Sequence, residues 1–82
     1  MSKELELKIL SLQKVAFHDY VDSVTLPTTS GEITVLPNHA ALISSLREGS
    51  IRARTAGKEE SFEISGGFLE VTASSRLTVL LS

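Results

Sequence analysis

The 82-residue sequence has no cysteine. Disulfides and thiolate-ligated metal sites are therefore excluded, and the chain fits a reducing compartment. It also lacks a strong charge of either sign. Eight basic and ten acidic residues leave a formal charge of −2, which offers no basic field to nucleic acid or to anionic lipid. No apolar run approaches the roughly 18 residues that span a bilayer. The opening "MSKELELKIL" places charges at Lys3, Glu4, Glu6 and Lys8, and no uninterrupted apolar core follows its basic residue, so it does not read as a signal peptide. Linkers, low-complexity tracts and internal repeats are absent too. The expectation is one soluble, intracellular domain spanning 1–82. If it works at a membrane, a partner holds it there, without direct insertion into lipid.

What the sequence does have is a period of two. "ELELKIL" sets Leu5, Leu7 and Ile9 on one face and Glu4, Glu6 and Lys8 on the other. "KVAFHDYVDSVTL" reads as two strands broken near His18-Asp19. "EITVLP", "SIRARTA", "ESFEI", "GFLEVTA" and "RLTVLL" follow, separated by the turn-type clusters "TTSGE", "REGS", "TAGKE", "SGG" and "ASSR". "TAGKE" predicts a hairpin turn with Gly57 at positive φ. Many short strands at such spacing predict a sandwich or flattened barrel. The predicted core is Leu5, Leu7, Ile9, Val15, Phe17, Val24, Ile33, Val35, Ile51, Phe62, Ile64, Phe68, Val71 and Val79. "NHAALISSLR" fits two descriptions. It suits a short helix capped by Asn38, or a strand with a bulge at the adjacent Leu42 and Ile43.

Candidate chemistry is sparse. Glu32 and His39 are seven residues apart, which in extended chain is roughly 23 Å, too far to share a reacting atom. Two solvated loop residues are the simpler reading. His18 and Asp19 are adjacent, and two histidines without spaced carboxylates make a poor metal site. No strained nucleophile turn frames any serine. The Gly66-Gly67 pair lacks the further glycine, the lysine and the helix of a phosphate loop, and reads as a bend or bulge. Arg47, Arg52, Arg54 and Lys58 are diluted by Glu48, Glu59 and Glu60, without interleaved aromatics, so a nucleic-acid platform is not expected. Residue chemistry thus predicts no enzyme, cofactor or metal. A β-sandwich docking module remains.

Two separated motifs name a family. "GEITVLPNHAALISSLREGSIR" followed by "GKEESFEISGGFLEVTASSRLTVLL" resembles the ε subunit of F-type ATP synthase, the δ subunit in mitochondrial naming. The opening "LELKILSLQKVAF" resembles its first two strands, so the likeness covers nearly the whole chain. It implies an all-β, ten-stranded flattened β-sandwich, and it implies a strand for "HAALISSL". It implies a non-catalytic rotor subunit of the central stalk, clamping the γ subunit to the c-ring polar loops and helping couple ion translocation to ATP synthesis. The implied location is peripheral, on the cytoplasmic face of a bacterial inner membrane or the equivalent side in an organelle.

The resemblance also implies site residues. Gly31, Glu32 and His39 are the expected c-ring contacts, with Glu32 facing an Arg that the family's c-subunit loop commonly carries. Ser11, Leu42 and Ser44 are the expected γ contacts. The family usually has Gly where Thr34 stands, commonly Gly at Asn38 and commonly Pro at Ala41; Asn tolerates a left-handed turn. Full-size members continue into a helical hairpin that in some bacteria binds ATP or inhibits hydrolysis. These 82 residues stop at "TVLLS", so neither ATP binding nor helical-arm inhibition is expected of them. The alternatives are a free-standing module that binds a peptide or carbohydrate and, last, an enzyme using His39.

Overall fold

Strands that alternate apolar and polar residues must bury their apolar face against a second layer, a helix or another sheet. The computed structural model describes residues 5–11 and 15–82; Lys3 and Glu4 lie outside them. Among the described residues there are nine strands and no helix. They are β1 (Leu5–Leu10), β2 (Val15–Val21), β3 (Ser23–Thr28), β4 (Gly31–Val35), β5 (Leu42–Leu46), β6 (Gly49–Thr55), β7 (Lys58–Ile64), β8 (Gly67–Thr72) and β9 (Arg76–Leu81).

The strands run in the order β2-β1-β9-β8-β5-β3-β6-β7, with β4 added to β3. The β3–β5 junction is thin. It holds one registered pair, Thr28 with Leu46, and the backbone bonds Thr29 N to Ser45 O (3.1 Å) and Arg47 N to Pro27 O (2.9 Å). The chain turns a corner there. A five-stranded sheet, β2-β1-β9-β8-β5, folds over a four-stranded one, β4-β3-β6-β7. The free ends approach again where the Phe17 and Phe62 rings meet edge-on at 5.1 Å. The result is a β-sandwich curled toward a half-barrel, with nine strands where ten were expected. β1 and β9 pair in parallel, which ties the two ends of the described chain together at the centre of the larger sheet.

The core lies between the sheets. Leu5, Leu7 and Ile9 of β1, Val24 and Leu26 of β3, Ile51 of β6, and Leu77 and Val79 of β9 are fully shielded from solvent. Two predicted core residues are instead exposed. Val15 is 55% and Phe68 58% accessible, because the registers turn both to the outside of the five-stranded sheet. Phe17, Ile33 and Phe62 are partly buried against the core, while Val21, Leu26, Leu46, Ala53, Leu69 and Leu77 belong to it without having been expected. β2 runs unbroken through His18-Asp19 to Val21, and the break falls at Asp22. β5 is a strand without a bulge. Leu42 pairs Val71 and the register continues evenly to Leu46 with Gly67, so Leu42 points in and Ile43 out.

Turn chemistry fits. β6 and β7 are joined through Ala56 (φ 51°) and Gly57 (φ 82°), the paired positive φ of a type I′ hairpin. Ala56 N–H donates to Asp22 Oδ2 at 2.9 Å. Asn38 takes φ 66°, as its tolerance of the left-handed region allows.

Candidate docking surface

Outward side chains of the five-stranded sheet line up in rows across the strands, because paired residues share a face. The pairings Val15–Leu10, Leu10–Leu80, Leu80–Phe68 and Phe68–Ser45 make one row. It is apolar from β2 to β8. The next row is His18, Lys8, Thr78, Glu70 and Ile43. The third is Tyr20, Glu6, Arg76 and Thr72. Leu80 is 52%, Phe68 58% and Ile43 74% accessible, so a contiguous apolar strip crosses the sheet on its solvent side. Such strips on water-soluble surfaces mark docking sites.

The third row is held by charge. Glu6 Oε2 lies 2.8 Å from His18 Nε2, and Glu6 Oε1 accepts from Arg76 Nε at 3.0 Å. The hydrogen bond from His18, then that from Arg76, lowers the Glu6 pKa from its ordinary value of 4.5. One carboxylate thus spans β2, β1 and β9.

A second polar zone follows β4, which pairs with β3 alone among the described strands. Gly31 and Glu32 stand at its start. Glu32 is exposed and its Oε2 accepts from Arg52 Nη2 at 2.7 Å, a partner that the sequence did not reveal. His39 lies beyond the other end of β4, in the turn after Pro37. Its Nδ1 is 2.7 Å from the carbonyl oxygen of Ala40. The adjoining Asn38 N–H donates to Ser75 Oγ at 2.8 Å, fixing this turn to the β8–β9 turn. Glu32 and His39 therefore sit at opposite ends of one strand and are not brought together on a substrate.

The residues expected at γ divide by direction. Ser11 follows Leu10, which stands in the apolar row between Val15 and Leu80. Leu42 pairs Val71 and Ser44 pairs Leu69, both partners buried. Leu42 and Ser44 thus share the inner side of β5; Leu42 packs against the core, and Ser44 Oγ donates weakly to the Ser45 carbonyl at 3.4 Å. The outward residues Ile43, Phe68, Leu80 and Val15 were missed as surface. A signal for them existed. Leu42-Ile43 and Phe68-Leu69 are adjacent apolar pairs in period-two strands, which means both faces of the strand are apolar. Among the described residues, no three of His, Cys, Asp and Glu cluster as metal ligands.

The fold and surface together define a class: a small β-sandwich docking domain with an apolar sheet face and a charged edge. The chain belongs to the family of ATP synthase delta/epsilon chain β-sandwich domains, whose model matches residues 4–82. Among curated relatives, the ATP synthase epsilon chain of Desulforamulus reducens is 40% identical over 80 residues, covering 98% of this chain and 60% of that protein. That of Carboxydothermus hydrogenoformans is 42% identical over 71 residues, covering 87% and 53%. The chain therefore spans little more than half the length of these relatives. Among solved structures, a chain of the Euglena gracilis mitochondrial ATP synthase superposes with a TM-score of 0.90 at 24% identity, covering 95% of this chain and 50% of that one. A chain of the Tetrahymena thermophila mitochondrial ATP synthase central stalk and c-ring superposes at 0.81 with 15% identity, covering 96% and 63%. These two likenesses concern the fold.

Proposed function

We propose that the chain is a non-catalytic rotor subunit of an F-type ATP synthase, fastening the γ subunit to the polar loops of the c-ring. It works as part of that membrane-associated complex, peripherally, on the cytoplasmic face in a bacterium. Family membership supports this reading, and the observation that carries it is the apolar strip Val15, Leu10, Leu80, Phe68 with Ile43 beside it. A rotor contact must hold through every turn, and desolvated apolar anchors in a well-packed patch supply most of the energy of a lasting interface. We assign the strip to γ, with Ser11 at its margin and Leu42 and Ser44 supporting it from inside β5. The β4 edge, from Gly31 and Glu32 to His39, is assigned to the c-ring. Its free backbone edge is flanked by Glu32 at one end and His39 at the other, with the exposed Leu36 (54% accessible) beside the second, an arrangement in which charge steers and a small apolar contact holds.

Co-purification with γ tests the reading. Ile43→Asp places a charge on the strip without touching the core. It should weaken γ binding more than tenfold, about 1.4 kcal/mol, with an unchanged melting curve. Leu42→Asp should lower the melting temperature itself, because Leu42 packs inward. Failure of the wild-type chain to retain γ would reject the rotor assignment and return the fold to a free-standing binding module.

A further inference from the structure

β2 and β7 end the strand order, so among the described residues each keeps one unpaired backbone edge. The two edges face each other across the open side of the half-barrel and are clasped at both ends. The Phe17 and Phe62 rings meet at one end. At the other, Asp22 N–H donates to Arg54 O at 2.8 Å, and Asp22 Oδ2 accepts from Ala56 N–H at 2.9 Å. Between the clasps lies a groove of about 470 Å³, within the roughly 300–1,000 Å³ of ordinary ligand sites. Its floor is apolar, with Val21 and Ala53 both buried. Asp19 pairs Leu7, and Glu60 pairs Ala53. Paired residues share a face, so both carboxylates stand on the inner side of their sheets. Both line the groove, Asp19 two residues after Phe17 and Glu60 two before Phe62, which sets them level across it. Among the described residues, neither takes part in an ion pair. Glu59 at the rim is already paired with Arg54 at 3.2 Å.

We propose that this groove receives an extended segment of a partner protein carrying one arginine or lysine, added as a further strand along the free edge of β2. Backbone pairing satisfies hydrogen-bonding groups that the edge leaves open. Side chains opposite Phe17, Asp19 and Val21 enter the groove, and those between them point out. A cation opposite Asp19 is attracted by two carboxylates, Asp19 beside it and Glu60 across the groove. The positions opposite Phe17 and Val21 meet apolar walls. The segment therefore reads apolar-x-basic-x-apolar. From Phe17 to Val21 is four steps, about 13 Å, which matches those five residues. Inward charges on an edge strand ordinarily keep other strands away. Asp19 and Glu60 do so to a neutral or acidic strand and admit a basic one by the same means, which is selection by charge. Lys58, which lines the groove level with Val21, rejects a second basic residue at that end.

This goes beyond the rotor reading and does not rest on it. The groove opens on the inner side of β2 and the strip assigned to γ lies on the outer side, so the two occupants do not compete for one surface. The test contains neither γ nor c-ring. Its failure leaves the rotor assignment untouched, and a failed γ co-purification leaves the groove untouched.

The probe is the peptide acetyl-Val-Thr-Arg-Thr-Val-amide, titrated into isotope-labelled chain and followed by backbone amide shifts. Saturable shifts should appear in β2 and along the β6–β7 hairpin, with a dissociation constant in the millimolar range. Asp19→Asn and Glu60→Gln should each weaken binding at least threefold with an unchanged melting curve, since both side chains are exposed. The same peptide with Gln for Arg should bind at least tenfold more weakly. Agmatine, which carries the guanidinium without a peptide backbone, should also bind at least tenfold more weakly. Shifts that do not saturate overturn the proposal. So does equal binding by the Gln peptide or by the two variants, which would leave charge no part in the recognition. Agmatine that binds as tightly as the peptide overturns it too, because the groove would then hold a free cation and not a strand.

Discussion

At the scale of single residues, Glu32 shows how a side chain can be exposed and still engaged. Its bond to Arg52 is short, but the two side chains are 58% and 33% accessible. Pairs so exposed contribute only about 0.2–1 kcal/mol. Glu32→Ala should therefore lower the unfolding free energy of the isolated chain, read from urea melts, by no more than that. Gly67 is the opposite case. It takes φ 147°, and a Cβ there would lie 2.1 Å from the carbonyl oxygen of Leu80. Backbone strain and a clash with the neighbouring strand act together, so Gly67→Ala should destabilise by about 2–4 kcal/mol in a chemical melt. Ala56 sits in the left-handed region at φ 51°, where an alanine pays for a conformation that Asn tolerates. Ala56→Asn should raise stability by about 0.5–1 kcal/mol, read as a higher melting temperature. A drop would show that the φ angle at position 56 does not limit the stability of that turn.

At the scale of elements, the strands were legible because burial on one face imposes alternation. What the alternation could not show was which neighbours a strand would find. Parity within β8 is ambiguous, since both Phe68 and Leu69 are apolar; only the pairing with β5 and β9 decides that Leu69 goes in and Phe68 out. The same ambiguity made a bulge seem necessary in β5, where the answer was an apolar residue left on the surface. The candidate γ and c-ring positions were named through resemblance, because a docking face has no catalytic geometry to betray it. Arg52 escaped notice as the partner of Glu32, as did Glu6 as the tie between β2 and β9, because both depend on strand order. That tie has a pH signature. The Glu6 pKa is depressed in the folded chain, so its stabilisation is fully present above the ordinary value of 4.5 and is lost as pH falls through the depressed one. The melting-temperature advantage of the native chain over Glu6→Gln should be constant above that range and vanish below it. A gap that stays constant down to strongly acid pH would show that the three-strand bridge adds nothing to stability.

At the scale of the whole molecule, the two zones proposed for docking lie on different sheets, the apolar strip on the five-stranded sheet and β4 on the four-stranded one. The thin β3–β5 corner, the shared core and the Phe17–Phe62 contact hold them in fixed relation. If torque passes between γ and the c-ring through this domain, it passes through that packing, and changing the sign of charge at the β4 edge should be felt by the complete enzyme. In reassembled ATP synthase, Glu32→Lys should lower proton-pumping coupling, because the family's c-loop Arg would then face a like charge. High salt should relieve part of the loss, since exposed charges are screened within about 10 Å at 0.1 M. The in-chain pair complicates the reversal, because Glu32→Lys also sets a cation against Arg52. Arg52→Ala separates the two causes. It removes the in-chain partner and leaves the carboxylate free for the ring, so it should preserve coupling. If Arg52→Ala reproduces the defect of Glu32→Lys, the loss arises within the domain. If charge reversal of the c-loop Arg restores nothing to Glu32→Lys and salt has no effect, the β4 edge does not meet the ring.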